Sequence, residues 1–140
     1  MLGLGELRAG GYNLLAEVGA GSANEPRLIR LQHRAGRIGG PQLALVGKGI
    51  PFDSGGVSMK SPEAMVKMRG DMGGAGAVLA AIEVVAAQRL PMDVMAVVAG
   101  AENMVGGNAQ RPGDVRTSAS GKTVEVLNTD AEGASCSPMR

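Results

Sequence analysis

The stretch QLALVGKGIPFDSGGVSMK, residues 42–60, joins a short apolar run to a loop rich in glycine and charge. The apolar run, Gln42 to Val46, has the pattern of a strand that is buried on both faces of a parallel or mixed sheet. Helical periodicity follows in AGAVLAAIEVVAAQR, residues 75–89, and DVMAVVA, residues 93–99, is a second buried-type strand. Strand, loop, helix and strand in this order predict a βαβ unit.

Further out, the pattern adds strands on either side of this unit. PRLIRLQH, residues 26–33, and KTVEVL, residues 122–127, both alternate apolar with polar residues, as strands with one wet face do. In the helix, Val78, Ile82 and Val85 share one stripe, with Leu79 at its margin. No internal repeat or linker interrupts the chain. The sequence therefore predicts an α/β fold in which a mixed sheet is flanked by helices.

Composition limits the classes of partner. The chain has 140 residues, a formal net charge of +1 and one cysteine, Cys136. Basic residues are spread along the chain, which argues against nucleic-acid and acidic-lipid partners. One cysteine gives no disulfide framework, and the apolar stretch Ala75 to Ala87 is too short to span a bilayer. We expect a soluble, cytoplasmic protein without a membrane partner, and we treat Cys136 as incidental.

Four carboxylates lie near the ends of the predicted strands, where α/β sheets place their ligand sites. If they share one pocket, they repel one another unless cations neutralise them. Hard oxygen ligands in this number suit Mn, Mg or Zn, and one carboxylate can bridge two such ions. The four residues are Asp53, Asp71, Asp130 and Glu132.

Several motifs together resemble the leucyl aminopeptidase family, from about Gly19 to Gly133. They are GKGIPFDSGGVSMK at 47–60 and NTDAEG at 128–133, supported by ENM at 102–104 and RPGDV at 111–115. The resemblance implies the first half of that family's catalytic domain. On this basis residues 1–140 are expected to be a partial catalytic domain, with 1–25 as a lead-in segment and 134–140 as a tail of different origin.

The resemblance also implies a two-metal aminopeptidase that releases leucine and similar residues from peptide amino termini. In the family one site uses a lysine, two aspartates and a glutamate, and the other uses two aspartates and a glutamate; the matching residues are Lys48, Asp53, Asp71, Asp130 and Glu132. A lysine binds metal only as the neutral amine, so Lys48 is expected to be a ligand and not a charge clamp. The metals expected are Mn or Zn, with Mg as a third choice.

The mechanism implied by the resemblance uses a metal-bridging hydroxide that attacks the peptide carbonyl. Lys60 as an ammonium group would stabilise the oxyanion, and Met68 falls on a position that lines the pocket for the first side chain. In the family an arginine holds a bicarbonate that acts as general base, but this chain has Ala134 at that position. The family's homohexamer is a further expectation that the fragment puts in question.

The ending ASCSPMR, residues 134–140, departs from the family, whose members commonly continue GRLVLADAL after NTDAE. Deleting one base from a GC-rich coding of that continuation reproduces Gly133 to Arg140 and a stop codon. We therefore expect a frameshifted tail and little or no activity. The alternative to an enzyme is an inactive remnant that acts at most as a metal-binding or subunit-interaction module.

Other readings of single motifs fail on their own spacing. SGKT, residues 120–123, imitates the end of a phosphate-binding loop, but the required first glycine is Arg116. GDMGGAGAV, residues 70–78, imitates a dinucleotide fingerprint, but its third glycine position is Leu79 and no strand leads into it. The lone histidine, His33, is expected on the polar face of a strand.

Overall fold

The computed structural model describes residues 1–36, 40 and 42–136. Residues 37–39 and 41, between the strands predicted at 26–33 and 42–46, lie outside the described residues, as do residues 137–140 of the expected tail. In chain order the elements are α1 Leu4–Ala9, α2 Asn13–Val18, β1 Arg27–His33, β2 Gln42–Gly49, α3 Pro62–Met65, α4 Gly73–Ala87, β3 Asp93–Gly100, β4 Val115–Thr117, β5 Thr123–Glu125 and α5 Glu132–Cys136. Short 3₁₀ turns occupy Gly19–Gly21 and Met68–Gly70.

A three-stranded mixed sheet in the order β1-β3-β2 forms the centre of the fold. β3 pairs in parallel with β2 and antiparallel with β1, so that Val97 lies beside both Val46 and Arg30. α4 connects the two parallel strands and packs on both of them. The predicted βαβ unit and mixed α/β sheet are therefore confirmed. The strand predicted at 122–127 is shorter, and it pairs with β4 in a separate two-stranded sheet.

α4 places the predicted stripe on the sheet. Ile82 is buried against Val94 and Ala96 of β3, and Val78 and Val85 pack on the same cluster. The helix ends at Ala87, before Pro91, which has no N–H group to continue it. Leu79 lies at the margin and is partly exposed. The 3.6-residue periodicity thus identified both the helix and its buried face.

By length and composition alone, one helical stretch, Pro62–Ala87, is long and apolar enough to cross a membrane. In the structure this stretch is divided into α3, a 3₁₀ turn and α4. Lys67, Arg69 and Asp71 lie at the divisions, and charged groups are costly within a bilayer. Since α4 also packs on β2 and β3, we assign it to the layer that covers the sheet.

The expectation that β2 is buried on both faces is wrong. Leu43 is 44% exposed and Val46 is 54% exposed, because the described residues do not fully cover these side chains on the faces of β2, which is also an edge strand of the sheet. Within the described part of the chain no strand pairs with its outer edge. An apolar run predicts a strand whose faces need covering, but it does not tell whether the covering layers belong to the same chain.

This open apolar edge predicts self-association, because unpaired N–H and C=O groups and exposed side chains recruit further strands. We expect the unmodified chain to sediment as oligomers at micromolar concentration and the Leu43→Lys variant to shift towards monomer. Val115→Lys is the matched control, since Val115 is also an exposed strand residue but lies in the two-stranded sheet. Identical sedimentation of the Leu43→Lys variant and the unmodified chain would rule out this edge as the contact.

The first helices were not predicted, yet they complete the main core. Leu7, Leu15 and Val18 pack with Ile50, and Leu2 forms an isolated bridge with Leu28. Residues 1–25, expected as a lead-in segment, thus contain α1 and α2. Cys136 of α5 belongs to the same cluster and is 3% exposed, so it is a packing residue in this structure and not an incidental one.

Burial of Cys136 leads to a prediction about its reactivity. Removal from water raises the pKa of the thiol to about 12, so the reactive thiolate is scarce at neutral pH in the folded chain. We expect labelling by a disulfide reagent to be at least about a hundredfold slower in buffer than in concentrated urea, because labelling requires local or global opening. Equal labelling rates in the two solvents would show that α5 is not docked in the core.

Candidate metal centre

The centre begins where β2 and β3 end side by side. Beyond Gly49 and Gly100 the two segments that follow these strands stay in contact through an isolated parallel bridge between Asp53 and Asn103. The carbonyl of Asp71 approaches from the start of α4 and accepts a hydrogen bond from the N–H group of Ile50 at 3.3 Å. The sheet therefore places the first carboxylates at one edge, where its parallel strands finish.

A double-glycine turn follows Asp53 and lets the chain fold back over the site. Gly55 has φ +88° and Gly56 has φ +67°, a region that residues with a Cβ rarely adopt. A Cβ on Gly55 would lie 2.5 Å from the carbonyl oxygen of Ser58, and one on Gly56 would lie 2.9 Å from Asn103 Oδ1. The glycines are thus required by both the backbone angle and the close approach of neighbouring atoms.

Three carboxylates converge at this turn. Asp53, Asp130 and Glu132 each offer an oxygen within 4.8 Å of the others. Asp53 and Glu132 are both 1% exposed, which is unusual for carboxylates without neutralising partners. Asp71 lies outside this group of three but is joined to it through Lys48, whose Nζ is 2.6 Å from Asp71 Oδ2 and also contacts Glu132 Oε1.

Lys60 neutralises the other side of the cluster. Its Nζ lies 3.0 Å from Asp53 Oδ2 and also contacts Asp130 Oδ1. Burial alone would lower the pKa of Lys60, but the contacts with Asp130 and Asp53 outweigh it and raise the pKa. The raised pKa keeps Lys60 an ammonium group at neutral pH, and the role in stabilising an oxyanion that the resemblance implies for it stays a prediction.

The pKa of Lys48 is raised for similar reasons. Burial lowers its pKa, whereas hydrogen bonds and charge interactions with Asp71 and Glu132 raise it, and the net effect is a raised pKa. For Glu132 burial raises the pKa more than its hydrogen bond with Lys48 lowers it. Lys48 is thus a protonated partner of two carboxylates in the structure, and its expected role as a neutral metal ligand stays a prediction.

The residues present fit divalent cations. Glu132 Oε2 is buried and has no hydrogen-bond partner among the described residues. A buried carboxylate oxygen without a donor is costly, and a cation satisfies it. The donor set of carboxylates beside an amine is also the set that hard or borderline divalent ions accept.

Two predicted residues occupy less central positions. Met68 opens the 3₁₀ turn Met68–Gly70, which leads directly into Asp71, and it is half-buried. Ala134 lies in α5, two residues after Glu132, and is exposed. Its methyl group cannot bind an anion, so the structure offers no substitute at the position where the resembled family has arginine.

Sequence reasoning missed the polar residues that surround the carboxylates. Asn103 Nδ2 donates to Asp53 Oδ1 at 2.9 Å, and Thr129 Oγ1 donates to the carbonyl of Gly55 at 2.7 Å. Ser58 and Thr129 also bond reciprocally, since the N–H group of each donates to the hydroxyl of the other. Asn103 lies in the ENM motif, Thr129 in NTDAEG and Ser58 in the glycine-rich loop. Their place in these motifs is the sequence signal that could have indicated them as site residues.

Neither SGKT nor His33 contributes a residue to this site. SGKT lies in the connection between β4 and β5, where no described helix follows to bind a phosphate. His33 Nε2 is 3.1 Å from the carbonyl oxygen of Leu90, at the opposite end of the sheet from Gly100.

Comparison of this sequence with known proteins finds matches to the aminopeptidase family that the motifs resemble. The sequence model of the family described as "Cytosol aminopeptidase family, catalytic domain" matches residues 1–134 of this chain. A protein named "Probable cytosol aminopeptidase" from Roseiflexus castenholzii is 50% identical over 133 residues, which are 95% of this chain and 27% of the relative. A protein of the same name from Mycobacterium tuberculosis is 54% identical over 132 residues, 91% of this chain and 26% of the relative. The chain thus spans about a quarter of these relatives' length.

Solved structures give the same result. Leucyl aminopeptidase from Trypanosoma brucei in complex with bestatin superposes with a TM-score of 0.91 at 36% identity, over 96% of this chain and 26% of that one. The bottromycin maturation enzyme BotP in complex with Mn superposes with a TM-score of 0.85 at 40% identity, over 94% of this chain and 28% of that one.

Proposed function

Because this chain belongs to the cytosol aminopeptidase family, we propose that it carries the metal-binding part of an aminopeptidase that releases leucine and similar residues from peptide amino termini. The observation that carries the proposal is the buried convergence of Asp53, Asp130 and Glu132, with Lys48 and Lys60 beside them. Its relatives are named cytosol aminopeptidases, which supports a cytoplasmic location. Assembly into a homohexamer, which the family resemblance implies, is also part of this proposal, since the fold described above is that of a single chain.

Two cations are proposed to share this cluster. One would be held by Lys48, Asp53, Asp71 and Glu132, and the other by Asp53, Asp130 and Glu132. Bound there, divalent ions supply Lewis-acid activation of a water molecule and of the scissile carbonyl. The Mn complex of BotP supports Mn as the first metal to test, with Zn and Mg as the comparisons.

The chain's own residues would orient the peptide. Lys60, protonated and held by Asp53 and Asp130, can donate a hydrogen bond to the carbonyl oxygen as negative charge develops there. A neutral α-amino group of the substrate would bind one of the proposed cations, which favours an exopeptidase over an endopeptidase. Met68, half-buried beside Asp71, is proposed to contact the first side chain of the substrate.

A second candidate function follows from Ala134. Since Ala134 presents only a methyl group, no side chain at that position can hold bicarbonate as a proton acceptor. This favours a chain that keeps its cation ligands but has little or no turnover, acting as a metal-binding or subunit-interaction module. The two candidates differ in catalysis and agree on metal binding.

Hydrolysis of a leucyl chromogenic substrate by the purified chain, with added Mn²⁺ and with a chelator, separates the candidates. For the enzyme, hydrolysis depends on Mn²⁺, and Lys60→Met lowers kcat by about a hundredfold or more without loss of Mn²⁺ affinity. Lys122→Met, at an exposed lysine, is the control. Stoichiometric Mn²⁺ without hydrolysis favours the module, and failure to bind any of the three metals contradicts both.

A further inference from the structure

Asn103, which follows β3, forms hydrogen bonds beside the carboxylate cluster through its side-chain nitrogen and through its backbone N–H and C=O groups. Its side-chain Nδ2 donates to Asp53 Oδ1 at 2.9 Å and to the carbonyl oxygen of Thr129 at 3.1 Å. These two bonds use both hydrogens of the amide. The reverse orientation of the amide would set its oxygen against a carboxylate and a carbonyl, so the acceptors fix which way it points.

The two oxygens of Asp53 consequently have different environments. Oδ1 accepts hydrogen bonds from Asn103 and from the N–H group of Gly55, the latter at 2.8 Å. Oδ2 faces the Nζ atom of Lys60 at 3.0 Å. Neutral donors therefore anchor one oxygen, and the other is directed towards positive charge.

The backbone of Asn103 fixes its position relative to Asp53. Its N–H group donates to the carbonyl of Phe52 at 3.1 Å, and its carbonyl accepts from the N–H group of Ser54 at 2.9 Å and the hydroxyl of Ser54 at 2.8 Å. Asn103 thus holds the residues on both sides of Asp53, while its side chain reaches Thr129, the residue before Asp130. Asn103 is itself 2% exposed.

We propose that Asn103 is a positioning residue that orients Asp53, and fixes the 128–133 loop against it, for divalent-cation binding. This role rests on the metal-dependent function proposed above. The carboxylates at 53 and 130 are 77 positions apart in sequence, and the Asn103 amide, together with the hydrogen bonds of Thr129 to Gly55 and Ser58, joins the segments that carry them. Loss of both donors would leave Asp53 Oδ1 with the N–H group of Gly55 alone among the donors described here, and would leave the Thr129 carbonyl without this partner.

The test is Mn²⁺ affinity, measured from free Mn²⁺ by electron paramagnetic resonance. Asn103→Leu keeps the branching and the number of side-chain heavy atoms and has no donor, and Asn103→Ala removes the amide. We expect the dissociation constant for Mn²⁺ to rise by about ten- to a hundredfold in both variants, the usual effect of removing an outer hydrogen bond from a ligand. Asn13→Ala is the control, since Asn13 also donates to a backbone carbonyl, that of Thr117, away from the carboxylates.

Nuclear magnetic resonance of the unmodified chain keeps the test independent of variant folding. Both side-chain amide protons of Asn103 should exchange slowly with water and shift when diamagnetic Zn²⁺ is added. A folded Asn103→Leu variant with Mn²⁺ affinity within twofold of the unmodified chain would overturn the positioning role alone, as would amide protons that exchange freely or ignore Zn²⁺. An unmodified chain that binds neither ion would overturn the proposed function together with this role.

Discussion

Replacing Asp53 with asparagine is expected to remove stoichiometric divalent-cation binding, with a rise of more than about a hundredfold in the dissociation constant for Mn²⁺. The change keeps the size of the side chain and removes its charge at the point where both proposed ion positions meet. It also places an amide donor or a neutral oxygen opposite Lys60, 3.0 Å from the present Oδ2. Since loss of an outer hydrogen bond alone costs about ten- to a hundredfold, loss of a bridging ligand should cost more.

Metal analysis after gel filtration in Mn²⁺ measures this effect. Asp93→Asn is the matched control, because Asp93 also accepts a backbone hydrogen bond, from Ala35 at 2.7 Å, but lies at the opposite end of β3. We expect the control to retain the metal content of the unmodified chain. Stoichiometric Mn²⁺ in the Asp53→Asn variant would exclude a bridging role for this carboxylate.

Gly55→Ala is expected to lower the free energy of unfolding by about 3 kcal/mol or more, a large part of a small domain's stability. The backbone angle of φ +88° accounts for about 1–2 kcal/mol of this cost for a residue with a Cβ. The remainder comes from the Ser58 carbonyl oxygen, which would lie 2.5 Å from the new Cβ and belongs to rigid backbone. Relief of that contact requires movement of the loop that carries Lys60.

Gly113→Ala separates the two contributions. Gly113 has φ +90°, but no atom lies within 4 Å of a Cβ built there. We expect this control to lose only the cost of the backbone angle and to keep its Mn²⁺ affinity, whereas Gly55→Ala should lose both stability and affinity. Urea unfolding followed by circular dichroism gives the two stabilities. Equal losses would show that the contact with Ser58 is relieved at no cost.

The part of the fold that sequence predicted is the part encoded by local periodicity. The alternation in β1, the apolar run of β3 and the stripe of Val78, Ile82 and Val85 each specify an element and its buried face. The burial of β2 was predicted wrongly, because burial depends on what lies beside a strand and not on the strand's own residues. The helices α1 and α2 have six residues each, too few for a periodic pattern to stand out.

For the site, the residue types indicated the carboxylates, and the family resemblance of the motifs indicated both lysines. Sequence reasoning did not indicate Asn103, because an asparagine hydrogen-bonds with whatever the fold brings near it. It also did not indicate that Lys48 is protonated, or that both lysines pair directly with the carboxylates. Such pairing depends on atomic distances between segments far apart in the chain.

With the proposed cations bound, the assembly of this cluster from distant segments would tie the supply of cations to the survival of the protein in the cell. Asp53 and Asp130 come within ligand distance only when the chain is folded, so an unfolded chain offers cations no comparable site. Mass action then adds about 2.7 kcal/mol to folding when free metal exceeds the dissociation constant a hundredfold. A chain with an open sheet edge and modest stability would be degraded faster when manganese or zinc is scarce, so its abundance would report on metal availability.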